Sequence, residues 1–174
     1  MNNVLVLTQG FDAWKAQNRT ISRRQPMITP SLYIPTINHK RLASKLTTLI
    51  ASQNPKQIII DTRPAEAYSG QTSSASRYGH IPSAINIPFE QNIDYSSTEL
   101  RLKSIEQLAT IYADIPKTTS IILYCSMGRA SSSTYLSLRE LGYNVANYDG
   151  SWQEWANDAS FSIANPSRSK QGEF

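Results

Sequence analysis

The sequence predicts an α/β fold in which helices flank a mainly parallel central sheet. Two short runs, at 57–61 and 120–125, are apolar and rich in β-branched residues, which is typical of strands buried on both faces. A third such run, at 84–88, stops at Pro88. Segments with helical periodicity separate the runs. Strands that alternate with helices form βαβ units with right-handed crossovers, and this predicts the parallel sheet.

The first helix of this unit is predicted over 38–52. Its apolar residues recur at the spacing of one helix face, and Asn38 is in position to cap the N-terminus. The apolar stripe consists of Leu42, Leu46, Leu49 and Ile50. The strand at 57–61 follows this helix, and the run at 84–88 is the next strand.

The second half of the chain continues the alternation. Gly142 is expected to end a helix, because the left-handed residue after a last turn is usually glycine. In chain order we predict a helix at 99–115, a strand at 120–125, a helix at 131–143, a strand at 144–149 and a helix at 151–158. Parallel sheets carry their functional groups at the carboxyl ends of strands, and Cys125 lies at such an end.

The first 37 residues do not fit the alternating pattern. The stretch at 25–36 has three prolines and no apolar periodicity, and we interpret it as an extended linker. Before it, 4–17 repeats the order of features in 145–158, with Trp14 in place of Trp155. We interpret the repeat as the tail of another copy of the domain; chance similarity is the alternative. The predicted organisation is a remnant of a preceding domain at 1–24, a linker at 25–37, a catalytic domain at 38–160 and a polar tail at 161–174.

Composition excludes several classes of protein. The chain has 174 residues, 40% of them apolar, and a net charge of +4 that is scattered rather than clustered. The densest basic spots, at 22–24 and 167–170, lack interleaved aromatic residues, so we expect no nucleic-acid partner. A single cysteine forbids an internal disulfide, and no apolar run reaches the roughly 18 residues of a membrane span. The N-terminus lacks the basic region of a signal peptide, so we expect a cytoplasmic protein that does not bind membranes.

Cys125 is the candidate functional residue. A lone cysteine is commonly a small buried hydrophobe, but this one stands between a strand and a helix and faces a short loop, "SMGRA". Backbone N–H groups of such a loop form an anion cradle, which lowers the pKa of a thiol and stabilises the thiolate. Arg129 adds a positive charge that can meet an anionic substrate.

Sulfur transfer is the chemistry that fits a thiol in this setting. A phosphatase loop with arginine six positions after the cysteine would need arginine where Ser131 stands. His39 and His80 lack a local signature for a Cys–His hydrolase, and their spacing to the cysteine is not that of a metal site. Dinucleotide and P-loop motifs are absent. A thiolate that accepts a sulfane sulfur as a persulfide needs neither a metal nor an organic cofactor.

Several motifs, taken together and in order, resemble the rhodanese family, specifically its tandem-domain thiosulfate and 3-mercaptopyruvate sulfurtransferases. The resemblance covers 38–160 as a whole domain and 4–20 as a remnant. The motifs are "IIIDTRPAEAYSG" (58–70), "GHIPSAINIPF" (79–89), "LYCSMGRAS" (123–131), "YDGSWQEW" (148–155) and "QGFDAW" (9–14).

This resemblance implies a three-layer rhodanese-like domain and a role for each matching residue. Cys125 is implied to be the persulfide-forming nucleophile, and the residues after it the loop that binds substrate around the sulfur. That loop consists of Ser126, Met127, Gly128, Arg129 and Ala130. Asp61, Arg63 and His80 match positions near the site that are usually structural, and Trp152 and Trp155 are expected to pack in the core or at a domain interface.

Two departures from the family pattern affect substrate choice. Tandem enzymes often carry arginine before the position of Tyr68, where this chain has Ala67, and we expect Arg77 in the next loop to replace part of that substrate contact. The arginine of the active loop usually stands five residues after the cysteine. In this chain Ala130 occupies that position, and Arg129 stands one residue earlier.

The sequence thus favours a sulfurtransferase that takes sulfur from thiosulfate or 3-mercaptopyruvate, with thiosulfate favoured because Arg129 suits a dianion. The acceptor would be cyanide, a thiol or a protein. The alternative is a weakly active or inactive rhodanese-like module that binds a partner or carries sulfur.

Overall fold

A five-stranded sheet organises the chain in the computed structural model, which describes residues 6–7, 10–30, 32, 34, 36–96 and 101–169. The strands within the described residues are β1 (Leu42–Ala43), β2 (Gln57–Asp61), β3 (Ile85–Asn86), β4 (Ile93–Asp94), β5 (Arg101–Leu102), β6 (Ser120–Tyr124) and β7 (Asn144–Tyr148). The helices are α1 (Gly10–Ala16), α2 (Lys45–Ser52), α3 (Ala65–Tyr68), α4 (Ile105–Ile111), α5 (Ser131–Glu140), α6 (Ser151–Ala156) and α7 (Pro166–Ser169), with a 3₁₀ helix at Phe89–Asn92.

The strand order across the sheet is β1-β7-β6-β2-β3, and each neighbouring pair is parallel. The strands β4 and β5 form a separate antiparallel pair. The predicted α/β fold class with a mainly parallel sheet flanked by helices is therefore confirmed. Because β2, β6 and β7 run side by side in one direction, their carboxyl ends meet at one edge of the sheet.

The core lies on both faces of the sheet. Successive residues of a strand point to opposite faces, so Ile59 and Ile122 enter one buried cluster while Ile60 and Ile121 enter the other. The first cluster also contains Trp152 and Trp155, both fully buried as the sequence led us to expect of core residues. The second contains Tyr112, Leu138 and Tyr143. Burial on both faces explains why β2 and β6 are apolar at successive positions.

The predicted helix at 38–52 begins later than its pattern indicated. Helix α2 starts at Lys45, and its N-cap is Ser44, whose hydroxyl accepts the Thr47 N–H at 3.1 Å, so Asn38 is not the cap. Leu42 belongs to β1, the edge strand that pairs in parallel with β7.

The predicted apolar stripe of this helix is also only partly buried. Leu46 and Ile50 are 63% and 58% exposed, whereas Thr48 and Ala51 are fully buried. The later start removes Leu42 from the helix, and packing against β2 buries the face that carries the small residues.

The predicted helix at 99–115 is shorter than its apolar pattern. Helix α4 starts after Ser104, which forms a capping box with Gln107. Residues 101–102 before it belong to β5, and residues 97–100 lie outside the described residues. Gly142 ends α5 as predicted, with φ of +80°.

The N-terminal segment contains a helix where the repeat predicts one. Helix α1 matches α6 in position within the repeat, but Phe11 is 59% exposed, unlike the buried Trp152 at the matching place in α6. The repeat places 4–7 on the strand at 145–148 and so predicts a strand there; this segment lies partly outside the described residues, and residues 6–7 have no regular structure. The division into a remnant, a linker, a catalytic domain and a tail stays a prediction.

Within the described residues, no helix combines the length and apolar character that crossing a membrane requires. In the same part of the chain, no three His, Cys, Asp or Glu side chains are grouped so that they could hold a metal ion.

Candidate active site

Cys125 directly follows the carboxyl end of β6, which lies in the middle of the sheet, and the residue is 3% exposed. The loop 126–130 turns the chain from this strand into helix α5. The thiol is therefore held where the strand ends and the helix N-terminus begins, which is the position that the sequence predicted for it.

Hydrogen-bond donors surround the sulfur. Burial by itself raises the pKa of the Cys125 thiol, but the N–H groups of Ser131, Met127 and Ala130 and the Ser131 hydroxyl donate to Sγ, and their combined effect leaves the pKa below its ordinary value. The Ser131 hydroxyl oxygen lies 3.6 Å from Sγ and 2.9 Å from the Gly128 carbonyl oxygen. These donors stabilise a thiolate in preference to a thiol.

The loop adopts this shape because Gly128 takes a left-handed conformation, with φ of +79°. A Cβ atom at this position would lie 2.5 Å from Asp149 Oδ1 and 2.6 Å from the Asp149 carbonyl oxygen. The Gly128 carbonyl accepts hydrogen bonds from the Ser132 hydroxyl and from the side-chain amide of Asn147. It also faces the Ser131 hydroxyl, whose single proton is shared between this carbonyl and Cys125 Sγ. Only glycine allows the loop to lie this close to the end of β7.

Helix α6 fixes the other side of the loop. The Cys125 N–H donates to the Ser151 hydroxyl at 3.2 Å, and the Trp152 N–H donates to the Cys125 carbonyl at 3.0 Å. The Gln153 N–H donates to the Ser126 carbonyl at 3.1 Å. Ser151 is fully buried and itself has a positive φ of +53°. The first turn of α6 therefore sets the position of the cysteine backbone.

A pocket of about 190 Å³ opens beside the thiol. From the predicted loop, Ser126, Met127, Arg129 and Ala130 line it with Cys125, and Gly128 shapes the loop from behind. The opposite wall consists of Thr62, Arg63, Pro64 and Phe89. Arg129 is exposed, and its guanidinium has no hydrogen-bond or ion-pair partner among the described residues. Its charge is thus available to a ligand in the pocket.

The structure does not bring Arg77 into this pocket. Its guanidinium donates to the backbone carbonyls of Trp155, Ala156, Asp158 and Phe161 around the end of α6. The expectation that Arg77 replaces part of the missing substrate contact at Ala67 is therefore corrected, because four carbonyls around the end of α6 take four of the five N–H donors of its guanidinium and hold it outside the Cys125 pocket.

Asp61 and Arg63 form a buried ion pair at the end of β2. Arg63 Nη2 lies 2.6 Å from Asp61 Oδ2, and Arg63 also donates to the Gly79 carbonyl at 2.7 Å. The Tyr124 hydroxyl donates to the same carboxylate at 2.6 Å. Tyr124 precedes Cys125 in the chain, so this network ties the end of β2 to the strand that carries the thiol.

His80 lies in the neighbouring loop. Its Nδ1 carries the proton, since it lies 2.8 Å from the Tyr68 carbonyl, which can only accept. Its ring stacks on Tyr68 at 3.8 Å, and its backbone pairs with Ala164. Burial, partly offset by the hydrogen bond to Tyr68, lowers the pKa of the imidazole. These contacts hold the loop against the C-terminal segment.

Sequence reasoning missed Ser131, Ser151 and, on the opposite wall of the pocket, Thr62, Pro64 and Phe89. The sequence singles out Ser131 only as the place of an absent arginine, although a serine at the first position of a helix after a cysteine loop is a local signal for a thiol donor. Pro64 precedes α3 and Phe89 begins the 3₁₀ helix, and no local pattern connects them with Cys125.

Ser131→Ala is expected to raise the pKa of the Cys125 thiol, because one of the donors that stabilise the thiolate is lost while burial remains. The pH profile of Cys125 alkylation by iodoacetamide measures this, and its midpoint should move to higher pH than in the wild type. Ser132→Ala is the matched control, since its hydroxyl bonds only the Gly128 carbonyl. An unmoved midpoint in Ser131→Ala would show that the backbone amides alone determine the thiol pKa.

Gly128→Ala is expected to destabilise the protein by about 1–3 kcal/mol and to raise the thiol pKa, because the new methyl group forces the loop away from Asp149. Gly142→Ala separates the two causes. Gly142 has a similar φ of +80°, but apart from the glycine and its two chain neighbours no atom lies within 4 Å of the position that a methyl group would take, so this variant carries the backbone strain without the clash. Equal urea midpoints for the two variants, with unchanged alkylation in both, would contradict the role given to Gly128.

Comparison with known proteins adds to this geometry. A family model described as a rhodanese-like domain matches residues 42–158. A Mycobacterium leprae protein provisionally named thiosulfate sulfurtransferase SseA is 33% identical over 170 residues, which cover 89% of this chain and 55% of that protein. The sulfur carrier protein TtuD of Thermus thermophilus is 31% identical over 178 residues, which cover 93% of this chain and 61% of TtuD. The chain thus spans little more than half the length of these relatives.

Two solved structures share the architecture. SseA of Escherichia coli, described with the catalytic mechanism of 3-mercaptopyruvate sulfotransferases, matches with a TM-score of 0.68 and 26% identity over 83% of this chain and 54% of SseA. Wild-type EanB matches with a TM-score of 0.82 over 94% of this chain and 41% of EanB, but at 20% identity it supports the fold alone.

Proposed function

The chain belongs to the rhodanese family, and on that basis we propose that it is a sulfurtransferase that moves sulfane sulfur through a persulfide on Cys125. The observation that carries the proposal is the set of N–H donors around Cys125 Sγ at the bottom of a pocket that also holds Arg129. A sulfur that becomes negatively charged, first as a thiolate and then as a persulfide, is stabilised there at both stages.

Thiosulfate is the donor that the names of several relatives suggest. In the first step the Cys125 thiolate attacks the outer sulfur of thiosulfate. The S–S bond of the donor breaks, and sulfite leaves with the bonding electron pair, so that Cys125 carries a persulfide anion. With 3-mercaptopyruvate the thiolate would attack the thiol sulfur and the C–S bond would break. Pyruvate would leave as its enolate with the bonding pair and then take up the proton of the former thiol, which leaves the same persulfide anion on Cys125.

In the second step a thiophilic acceptor takes the outer sulfur of the persulfide. With cyanide the product is thiocyanate, and the Cys125 thiolate is restored with its electron pair. A small thiol or a protein sulfur acceptor would react in the same way, and the relative named as a sulfur carrier supports a protein as acceptor.

The mass of the protein after incubation with thiosulfate tests the proposal. The wild type should become about 32 Da heavier, the mass of one sulfur atom in a persulfide, and cyanide should reverse the change. Cys125→Ser should stay unmodified. An unmodified wild-type protein would remove the sulfurtransferase proposal and leave a rhodanese-like module that binds a partner.

Arg129→Ala is expected to lower kcat/KM for thiosulfate by on the order of 10- to 100-fold, because an anion loses its charged hydrogen-bond donor at the pocket. Lys56→Ala is the matched control. Lys56 is exposed and stands before β2, at the opposite edge of the sheet from Cys125. Equal efficiency of the two variants would show that Arg129 does not contact the donor.

A further inference from the structure

We propose that two copies of this chain form a twofold dimer, in which segment 25–37 of each copy lies in an apolar groove between β5, α4 and α5 of the other. The inference is independent of sulfur transfer, because neither the segment nor the groove belongs to the Cys125 pocket. It follows from an exposed apolar segment and an apolar groove that the same chain carries.

Segment 25–37 exposes an unusual amount of apolar side chain. Five of its large apolar residues are between 59% and 95% exposed, namely Met27, Ile28, Leu32, Ile34 and Ile37. The sequence has no charged residue in this segment. A single exposed apolar residue is normal on a protein surface, but apolar residues that are exposed together mark an interaction site.

The segment is suited to binding in an extended form. Its described residues belong to no helix or strand, and they form no hydrogen bond with another described part of the chain. The sequence places Pro26, Pro30 and Pro35 in this segment. Proline restricts the backbone before binding, so the segment loses less conformational entropy when it docks.

The groove is a cavity of about 390 Å³ beside β5. Its apolar lining consists of Val6, Leu102, Ile105, Leu108 and Leu136. Ile105, the first residue of α4, is 47% exposed. Because an apolar cavity of about 150 Å³ holds a benzene ring, this groove has room for about two large apolar side chains.

A second copy of the chain fits the groove better than a strongly charged partner. The charged residues that line it carry both signs, namely Arg101, Lys103 and Glu140. This mixture favours an uncharged occupant, which segment 25–37 provides. In a single chain the apolar side chains of the segment stay exposed, so the segment does not fill the groove of its own chain.

The area that docking buries is that of a stable dimer. Covering the exposed parts of the five side chains removes about 400 Å² of apolar surface, at roughly 100 Å² for each fully exposed side chain. The groove loses a similar area, and twofold symmetry repeats the contact. The total is then about 1,600 Å², which is the standard size of a specific interface.

Sedimentation equilibrium of the 174-residue protein tests the dimer, and the wild type should show twice the mass of one chain. Leu32→Asp in the segment and Ile105→Asp in the groove should each raise the dimer dissociation constant at least about 10-fold, since a charge enters an apolar contact. Leu46→Asp is the matched control, because Leu46 is an exposed residue of α2 outside the groove and should leave the constant unchanged.

The three substitutions are compatible with the fold. Leu32 is almost fully exposed in the single chain, so a carboxylate there disturbs no core packing. Ile105 and Leu46 lie in the first turns of α4 and α2, where an acidic side chain is favourable. Should Ile105→Asp fold poorly, Leu32→Asp alone still decides whether the segment holds the dimer together.

A synthetic peptide of residues 25–38 identifies the surface that the segment occupies. It should bind the Leu32→Asp protein, whose groove is intact, and bind at least about 10-fold more weakly when Ile105→Asp is added to that protein. Equal binding to both proteins would place the segment on another surface and overturn the inference.

A wild-type protein that sediments as a monomer at about 100 μM would also overturn it, because an interface of this size is expected to form at that concentration. So would a dimer that Leu32→Asp and Ile105→Asp weaken no more than Leu46→Asp does. None of these outcomes changes the mass gained by Cys125 with thiosulfate, so the proposed function stands or fails separately.

Discussion

Replacing Cys125 by serine is expected to lower sulfur transfer from thiosulfate to cyanide by on the order of 10⁴-fold or more, because the reaction loses its covalent nucleophile. A serine hydroxyl does not ionise among the N–H donors of the loop as the thiol does, and it forms no persulfide. The rate of thiocyanate release measures the effect.

Serine is the right substitution because it is close to cysteine in size and the site is 3% exposed. The urea midpoint of the variant should stay near that of the wild type, so that the lost activity reports on chemistry and not on folding. Residual transfer within tenfold of the wild type would mean that Cys125 is not the sulfur carrier.

Replacing Arg63 by methionine is expected to cost about 3–5 kcal/mol of unfolding free energy, since it leaves a buried carboxylate without its cation. Asp61 is fully buried and Arg63 is 2% exposed. The variant also loses the hydrogen bond to the Gly79 carbonyl and the stacking of the guanidinium on Trp152 at 4.4 Å. Urea unfolding measures the loss.

Arg101→Met is the matched control for this experiment. Arg101 also forms an ion pair, with Asp94 at 3.0 Å, but its side chain is 50% exposed, and an ion pair open to water contributes little to stability. A loss in Arg63→Met as small as in Arg101→Met would show that the pair at the end of β2 is not a determinant of the fold.

The strands and the position of the thiol could be predicted from local sequence. Runs such as 57–61 and 120–124 are apolar at successive positions because both faces of the sheet are covered, and this pattern is visible without knowing what covers them. The end of α5 at Gly142 could also be predicted, because the left-handed backbone conformation that ends a helix is a local requirement.

The helix boundaries and the buried faces of the helices were harder to predict from the sequence. Leu42 fits the spacing of a helix but joins a strand, because β7 offers its backbone a ladder of hydrogen bonds. Leu46 and Ile50 fit an apolar face that the structure leaves exposed. Periodicity identifies a helix, but which face is buried depends on where the helix starts and what it packs against.

The sequence by itself thus determined the fold class, the family and the place of Cys125, since each depends on the order and spacing of neighbouring residues. Only the tertiary structure decided that Arg77 binds carbonyls around α6 and that Phe89 joins the pocket. Such side chains take partners that are far away in the chain. Their choice is made by packing and hydrogen-bond satisfaction between distant segments, which leave no mark in local sequence.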